Sequence, residues 1–509
     1  MGVEKNFAAD FSAVLLIAFA GFLLSVAIER LMMPRPRLRR PWTAWCLHAA
    51  LWLLAYGVLV LLFGRPWFAT AGAAAFFLML VLVNNAKIKA LREPFVFQDY
   101  EYFVDAVRHP RLYIPFMGWG KFLGAASGFV AAISIGLWAE IPPGQRFGWT
   151  GQLAGIVVIA VIGMVLLLVA NRRLLPVSFD PEQCMRALGL LSSLWCYGRA
   201  GRVLPVMATP FVSLASNDAM KTLPHLVAVQ SESFFDPRPL FSGIRRDVLA
   251  EFDRLCADAQ AYGKLKVPAW GANTVRTEFA FLTGIDAAGL GVHRFNPYRA
   301  VASGWDVFSL ASFLKRMGYR TVCVHPYPAG FYQRDRVYPR LGFDEFLDIR
   351  TFGKAERFGP YVSDAAVAEK IASVLEEADE PVFVFVITME NHGPLHLERV
   401  TPSDIDELYT EPPPAGCDDL TVYLRHLRNA DRMIAGVRTM LEQCSRPAGM
   451  CWFGDHVPIM PVVYETFGLP QGNVEFVFWS NDMHRCAGKH DLPAHRLSSD
   501  WLRVMGITR

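Results

Sequence analysis

Polar side chains capable of metal binding follow four short apolar runs in the second part of the sequence. The apolar, β-branched composition of buried strands is found in residues 226–229, 321–324, 382–387 and 450–453. The polar residues that come after these runs are Glu232, His325, His392 and the neighbours Asp455 and His456. Ligands of open α/β sheets bind outside the carboxyl ends of the strands, so we expect these side chains to form one site.

Three of these residues supply the ligand types of a divalent metal. Glu232 and Asp455 offer hard carboxylate oxygens and His456 a borderline nitrogen, which together suit Mn²⁺, Mg²⁺ or Zn²⁺. Thr274 is a candidate fourth ligand, because it follows a glycine-containing loop and precedes the helical pattern VRTEFAFLTG. At a helix N-terminus, a metal could lower the pKa of the Thr274 hydroxyl while backbone N–H groups receive a phosphate. The pattern indicates phosphoryl transfer with Thr274 as the nucleophile.

Each residue taken singly also has a structural interpretation. Thr274 or Asn273 could simply cap the following helix. The two carboxylates could be ordinary strand-end residues paired with arginines, and the histidines at the other strand ends could be hydrogen-bonded rim residues. The functional interpretation therefore depends on the convergence of four strand ends.

The elements that must position these residues are those of a parallel sheet. From about residue 222, short apolar runs alternate with amphipathic helical stretches, which is typical of βαβ units. We expect an α/β domain over residues 222–509 with a central, mostly parallel sheet. Residues 395–420, which contain three consecutive prolines, are predicted to form a surface loop beside the site.

The N-terminal third has the composition of a membrane domain. The whole chain is 53% hydrophobic and 19% charged, but residues 1–170 carry only 14 Lys and Arg and 8 Asp and Glu. Windows without charge that could cross a hydrocarbon layer about 30 Å thick are 11–28, 42–63, 66–83, 122–139 and 149–170. We expect an α-helical transmembrane domain with five spans over residues 1–170, followed by juxtamembrane linker helices over 171–221.

The same composition excludes several classes of protein. The apolar content excludes a disordered chain, and the sequence has neither a collagen-like repeat nor a disulfide framework. The formal net charge of +3 gives no reason to expect a nucleic-acid partner.

Five ordered motifs, preceded by the predicted spans, resemble those of a known family. They are SES at 231–233, GANTVRTEF at 271–279, FYQRDRVYPRLGFDEF at 331–346, ENHGP at 390–394 and FGDH at 453–456. This set resembles the lipoteichoic acid synthase-like proteins, membrane phosphoglycerol transferases of the sulfatase and alkaline phosphatase superfamily. The resemblance covers nearly the whole chain and implies an alkaline phosphatase/sulfatase-like fold for the second domain.

The resemblance implies a metal site and a nucleophile. Glu232, Thr274, Asp455 and His456 match the positions that hold one divalent metal in that family, usually manganese. Thr274 matches the nucleophile that becomes a covalent phospho-threonine.

The resemblance also implies substrate-binding residues. Arg334 and His392 match positions that contact the phosphate and the glycerol headgroup, and an Arg fork and a proton-shuttling His suit those tasks. His325 and Asp335 lie close to these motifs and are expected as supporting residues. Glu278, one helical turn after the nucleophile, is expected to orient other groups rather than to bind the metal.

The implied activity is the transfer of a phosphoglycerol or other polyol-phosphate group from a phospholipid, such as phosphatidylglycerol, to an envelope glycan or polymer. No Cys-x-Pro-x-Arg segment exists, which disfavours a sulfatase that uses formylglycine. Residues 230–234, QSESF, differ from the Gly-Glu-Ser/Thr-x-Arg pattern of related phosphoethanolamine transferases, so glycerol phosphate is favoured. A phosphoethanolamine transferase, a metal-dependent phosphodiesterase or phosphatase, and a catalytically silent binding module are the alternatives.

Charge and resemblance disagree about orientation in the membrane. The positive-inside rule places in the cytoplasm the loops that contain Arg30, Arg35, Arg37, Arg39, Arg40, Lys87, Lys89 and Arg92. With five spans, the second domain would then be cytoplasmic too. The resemblance implies instead a bacterial inner-membrane protein with its catalytic domain facing the periplasm, and we expect this orientation.

Overall fold

The chain divides into two compact units, Met1–Val203 and Leu204–Arg509. The computed structural model describes residues 2–100, 119–140, 149–173, 175, 177–217, 220, 222–482 and 488–509. The division falls within the segment 171–221 that the sequence assigns to a linker.

The first unit consists of α-helices. They are α1 (Gly2–Glu29), α2 (Trp42–Phe63), α3 (Pro66–Leu91), α4 (Trp119–Ala139), α5 (Thr150–Asn171), α6 (Pro181–Leu188) and α7 (Leu190–Ala200). Among the described residues, four helices, α1, α2, α3 and α5, are long and apolar enough to span a membrane. Helix α4 covers the window 122–139 of the fifth predicted span, which stays a prediction. Helices α6 and α7 have 8 and 11 residues and are too short to cross. The chain is therefore a multi-pass membrane protein.

Local sequence explains the tight connection between α2 and α3. Gly64 ends α2 in the left-handed conformation, with φ 65°, which glycine adopts without a Cβ penalty. Pro66 begins α3, where its missing N–H is not needed. Two consecutive spans thus follow one another after a very short turn.

Buried charges are paired where α1 ends. The Glu29 carboxylate accepts hydrogen bonds from Arg40 Nη2 at 2.5 Å and from the Leu190 backbone N–H at 2.8 Å. Arg40 Nη1 donates to the Leu188 carbonyl at 2.9 Å. Gly189 joins α6 to α7 with φ 82°, and a Cβ there would collide with the Arg40 guanidinium and the Glu29 carboxylate. This pairing fastens α6 and α7 to the rest of the unit.

A second basic side chain of this unit, Lys87, is also paired with carboxylates. Lys87 Nζ lies 2.7 Å from a Glu93 oxygen and 2.6 Å from an Asp99 oxygen. Arg40 and Lys87, both counted for the positive-inside rule, are therefore neutralised within the unit. Lys87, which the sequence assigns to a loop, lies within α3.

The second unit is built on an eight-stranded sheet. Its strands and those of a small hairpin are β1 (His225–Ser231), β2 (Ala261–Lys266), β3 (Arg320–Val324), β4 (Glu345–Leu347), β5 (Arg357–Phe358), β6 (Tyr361–Val362), β7 (Val382–Ile387), β8 (Ala448–Gly454), β9 (Val474–Ser480) and β10 (Leu492–Pro493). The order is β10-β2-β9-β8-β1-β7-β3-β4, with β5 and β6 paired separately. Within the described part of the eight-stranded sheet, only β9 runs antiparallel to its neighbours, β8 and β2. The prediction of a mostly parallel sheet is confirmed, and the four predicted strands are its adjacent central members β8, β1, β7 and β3.

Helices cover both faces of this sheet. They are α8 (Ala250–Asp258), α9 (Val275–Thr283), α10 (Pro297–Ala302), α11 (Leu310–Arg316), α12 (Arg334–Val337), α13 (Asp364–Glu376), α14 (Pro402–Leu408), α15 (Asp418–Glu442), α16 (Pro461–Phe467) and α17 (Ala494–Val504). Alternate residues of β1 enter two different cores: Leu226 and Ala228 one, Val227 and Val229 the other. Burial on both faces explains why the parallel strands are continuous apolar runs.

The prediction of a surface loop over residues 395–420 is wrong in part. Residues 402–408 form α14, which begins with Pro402 after a Thr401 cap, and Leu408 is fully buried. The loop prediction was based on the three consecutive prolines at 412–414, whereas Pro402, at the first helical position, favours a helix start.

Candidate metal centre and active site

Strand register brings three predicted ligands together. Ser231 of β1 pairs with Gly454 of β8, so Glu232 and Asp455 leave two neighbouring parallel strands at the same level. One ligand atom from each of Glu232, Asp455 and His456 lies within 4.8 Å of the others, and all three residues are buried. The predicted convergence at the carboxyl edge is confirmed for these residues.

Hydrogen bonds around His456 leave lone pairs facing one another. His456 Nδ1 lies 3.1 Å from the Val457 carbonyl oxygen, so we assign the ring proton to Nδ1 and a lone pair to Nε2. That Nε2 lies 3.2 Å from Asp455 Oδ2 and 3.6 Å from Glu232 Oε1. Asp455 Oδ1 accepts from the Ser233 backbone N–H at 2.8 Å, but its buried Oδ2 has no hydrogen-bond partner among the described residues. Facing lone pairs of two oxygens and a nitrogen fit a divalent cation.

Electrostatics within this group are unfavourable without a cation. Burial and the neighbouring Asp455 carboxylate raise the pKa of Glu232 to about 8, although the hydrogen bond from Ser233 and the Arg334 charge act in the opposite direction. Without a cation, the Glu232 carboxyl therefore holds a proton near neutral pH. A cation would take the place of that proton.

Thr274 lies directly before α9, as the sequence predicts. Its hydroxyl makes no capping hydrogen bond with the described residues, so the helix does not use it for that purpose. Thr277, in the first turn of α9, donates from its hydroxyl to the Asp455 carbonyl at 2.7 Å. The start of this helix is thereby fixed to the segment that carries two of the ligands.

Strained backbone marks three segments of the site. Six described residues other than glycine have a left-handed φ, which costs free energy for a residue with a Cβ. Three of them adjoin expected site residues: Ser233 (52°) after Glu232, Asn273 (68°) before Thr274 and Gln333 (56°) before Arg334. The fold holds unfavourable conformations next to the residues that the sequence singles out.

Arg334 is held by a buried carboxylate. Its Nε and Nη2 donate to Glu278 Oε1 and Oε2 at 3.1 and 2.8 Å. The hydroxyls of Tyr298 and Tyr338 both donate to Oε1 at 2.5 Å. Burial and the Glu278 charge raise the pKa of each tyrosine well above its usual value. Glu278 thus orients Arg334 and is not among the three clustered ligands.

His325 completes the surroundings of Arg334. Its Nδ1 lies 3.1 Å from the Ile387 carbonyl, so we place the proton there, and Nε2 accepts from Arg334 Nη1 at 3.1 Å. Burial and the Arg334 charge lower the pKa of His325 well below its usual value, so the ring is neutral. Among the described residues, these contacts use three of the five N–H groups of Arg334. The other two can donate to a substrate oxygen.

His392 and Asp335 differ in their surroundings. His392 follows β7, with its Nδ1 2.7 Å from the Gly393 carbonyl, which also accepts from the Tyr361 hydroxyl at 3.2 Å. Burial lowers the pKa of His392, while its hydrogen bond to the Gly393 carbonyl and the Asp455 charge act to raise it. The Asp335 side chain, by contrast, is exposed to solvent.

Several residues that shape the site were not found by sequence reasoning. Ser233 donates from its hydroxyl to Glu232 Oε1 at 2.9 Å, and it lies within the SES motif. The tyrosines on Glu278 are 20 and 60 residues away from it, at spacings that no local rule connects. Only knowledge of the packing of α9, α10 and α12 could have identified them.

Comparisons with known proteins agree with this architecture. Residues 224–507 match the family model described as Sulfatase. The capsular polysaccharide biosynthesis protein RkpI of Rhizobium meliloti (strain 1021) is 28% identical over 430 residues, covering 80% of this chain and 76% of that protein.

Two solved structures are similar in fold. The Streptococcus pyogenes phosphoglycerol transferase GacH, in complex with sn-glycerol-1-phosphate, has a TM-score of 0.50 at 22% identity over 58% of this chain and 77% of that chain. The integral membrane lipooligosaccharide phosphoethanolamine transferase A (EptA) from Neisseria meningitidis has a TM-score of 0.58 at 13% identity over 97% of this chain and 95% of that chain. The second similarity extends over the helical unit as well as the sheet.

Proposed function

The chain belongs to the sulfatase family, and we propose that it is a membrane-anchored, metal-dependent transferase that moves phosphoglycerol from a phospholipid to an envelope glycan or polymer. The observation that carries this proposal is the buried group of Glu232, Asp455 and His456, whose facing lone pairs fit a divalent cation. Spans in the same chain keep the enzyme at the bilayer that contains a lipid donor.

The metal and the nucleophile have separate tasks. Glu232, Asp455, His456 and, as the fourth ligand, Thr274 would hold one divalent ion. We expect manganese, with magnesium or zinc as alternatives. The ion would lower the pKa of the threonine hydroxyl and neutralise phosphoryl charge. Arg334 would hydrogen-bond phosphoryl oxygens through its two remaining N–H groups, assisted by His325. Asp335, which is exposed, would contact a part of the substrate that extends toward solvent.

The proposed reaction proceeds in two displacements. Thr274 Oγ1 forms a bond to phosphorus as the bond from phosphorus to the diacylglycerol oxygen breaks. His392 carries the threonine proton to that leaving oxygen. An acceptor hydroxyl then attacks the phospho-threonine, the threonine–phosphorus bond breaks, and the acceptor proton returns to Thr274.

Sequence and relatives support the choice of substrates. The QSESF segment at 230–234 differs from the phosphoethanolamine transferase pattern, which supports a glycerol headgroup. RkpI is named for capsular polysaccharide biosynthesis, which supports an envelope glycan as acceptor. Such an acceptor would meet the donor outside the inner membrane, so we place the second unit in the periplasm.

The direct test measures release of diacylglycerol from fluorescent phosphatidylglycerol by the purified full chain with Mn²⁺. We expect release that needs the metal, increases with a glycan acceptor and is lost in Thr274→Ala. Phosphatidylethanolamine serves as the comparison donor. Release that is independent of any acceptor would favour hydrolysis, and absence of release from every phospholipid by a metal-loaded protein would contradict the proposal.

A further inference from the structure

A second buried group of charged residues lies outside the three-ligand cluster. His426, on α15, is 1% exposed and has a carboxylate at each ring nitrogen. Its Nδ1 lies 3.3 Å from Glu390 Oε1 and its Nε2 lies 2.8 Å from Glu398 Oε1. Glu390 is 1% exposed as well. One imidazole therefore bridges two carboxylates that are eight positions apart in the sequence.

The contacts require a charged imidazole. Both nitrogens can donate only in the imidazolium form. Burial lowers the pKa of His426, but its hydrogen bonds to Glu390 and Glu398 outweigh burial and raise the pKa to about 9. Arg425 Nη2 adds a second positive charge 2.7 Å from Glu398. Its Nη1 also lies 3.2 Å from Asp404, so three carboxylates and two cations form this cluster.

Glu390 is fixed from two further sides. Its Oε2 accepts from the Asp364 backbone N–H at the start of α13, at 2.7 Å. Its Oε1 accepts from Asn429 Nδ2, three residues after His426 on α15, also at 2.7 Å. Burial and the charge of Glu390 raise the pKa of the Asp364 carboxyl well above its usual value, so Asp364 stays neutral and does not repel Glu390.

The bridged segment carries His392. The segment 390–398 begins with Glu390 and ends with Glu398, and the His426 imidazolium links these two ends. The β5–β6 hairpin supports it twice: Tyr361 donates to the Gly393 carbonyl, and the Phe358 ring packs edge-on against His426 at 5.2 Å. Moving His426 would remove the contact that links the two ends of the segment to each other.

We propose that His426 is a positioning residue, which bridges Glu390 and Glu398 and thereby fixes where His392 meets the substrate. This inference rests on the proposed function for the role of His392. Removing the bridge would leave the metal ligands in place and displace the proton carrier, and a displacement of about 1 Å can cost about 100-fold in rate.

A double-mutant cycle tests the inference with the full chain. We expect His426→Gln to lower the kcat of diacylglycerol release roughly 10–100-fold, with the affinity for Mn²⁺ unchanged. In a His392→Asn background, the same substitution should have less than about a 2-fold effect, because both changes act on one group. Equal losses in both backgrounds, or an unchanged kcat, would overturn the inference.

A second measurement does not depend on activity. Hydrogen–deuterium exchange should become faster in residues 390–398 of His426→Gln and stay unchanged in β8. Arg438→Gln is the matched control, since it breaks the ion pairs of Arg438 with Asp258 and Glu442 elsewhere on α15. If His426→Gln fails to fold, Glu398→Gln is the substitute variant, since it removes the charge of the partly exposed carboxylate only. Exchange in residues 390–398 should then become faster by a smaller factor.

The outcomes separate the two proposals. Unchanged exchange in residues 390–398 would overturn the positioning role, whatever the enzyme transfers. A wild-type chain that binds Mn²⁺ but releases diacylglycerol from no phospholipid would overturn the proposed function and leave the exchange result to decide on His426.

Discussion

The Arg334 guanidinium and the Glu278 carboxylate form a two-point ion pair, 3.1 and 2.8 Å long, in which both side chains are buried. Two tyrosine hydroxyls also donate hydrogen bonds to the same carboxylate. Because both side chains are buried away from water, each charge is stabilised mainly by the opposite charge of its partner.

Glu278→Gln should therefore destabilise the second unit strongly. Leaving the buried Arg334 without its counter-charge costs roughly 3–5 kcal/mol. Chemical unfolding of the purified chain measures the loss. Glu345→Gln is the control, because it breaks a partly exposed pair with Arg320 that is worth about 0–1 kcal/mol. Equal losses for the two variants would contradict the buried pairing.

Thr274→Ala should abolish transfer while the fold and the cluster of three ligands persist. The hydroxyl makes no capping bond, so its loss should change stability little, whereas loss of a nucleophile costs at least roughly 1,000-fold in rate. Thr274→Ser should keep part of the activity. Mass spectrometry of the wild-type chain after reaction with phosphatidylglycerol should detect a phosphoglycerol adduct on the peptide containing Thr274, and the same adduct in Thr274→Ala would exclude this residue.

Metal affinity should increase with pH. The raised pKa of Glu232, about 8, means that below this pH the cation must displace a proton. For one proton, affinity should rise by up to about tenfold per pH unit below pH 8 and then level off. Titration with Mn²⁺ between pH 6 and 9 measures this slope. A Kd independent of pH would show that Glu232 is already ionised.

Removing one ligand should make stability insensitive to chelation. A metal at 100 times its Kd adds about 2.7 kcal/mol to the wild-type chain, which EDTA would take away. Asp455→Asn should lose this difference and, without metal, be at least as stable as wild type, because it removes a buried oxygen that lacks a partner. A chelator effect of the same size in both proteins would place the metal elsewhere.

Gly189→Ala should destabilise the membrane unit in detergent. Its φ of 82° is unfavourable for alanine, and the added Cβ would collide with Arg40 and Glu29. Gly124→Ala is the control, since a Cβ there meets no described atom within 4 Å. Thermal unfolding in detergent should show a clear decrease for the first variant and none for the second.

The sequence was sufficient to predict the site residues that directly follow the ends of strands. Four apolar runs predicted four strands of a mostly parallel sheet, which the structure shows to be adjacent, and the edge rule predicted that Glu232, Asp455 and His456 lie together. Contacts between helices and distant loops could not be predicted in this way. The tyrosines on Glu278 and the bridge at His426 depend on tertiary packing, and α14 was hidden by prolines that read equally well as a loop.

The three-way contact at Glu29 also imposes an order on biosynthesis. Its carboxylate meets Arg40, 11 residues later, and the Leu190 backbone N–H, 161 residues later. The first partner is made before the second helix begins at Trp42, but the last is made only after every span has been synthesised. The helical unit can thus reach its final arrangement only after all of its spans have been made.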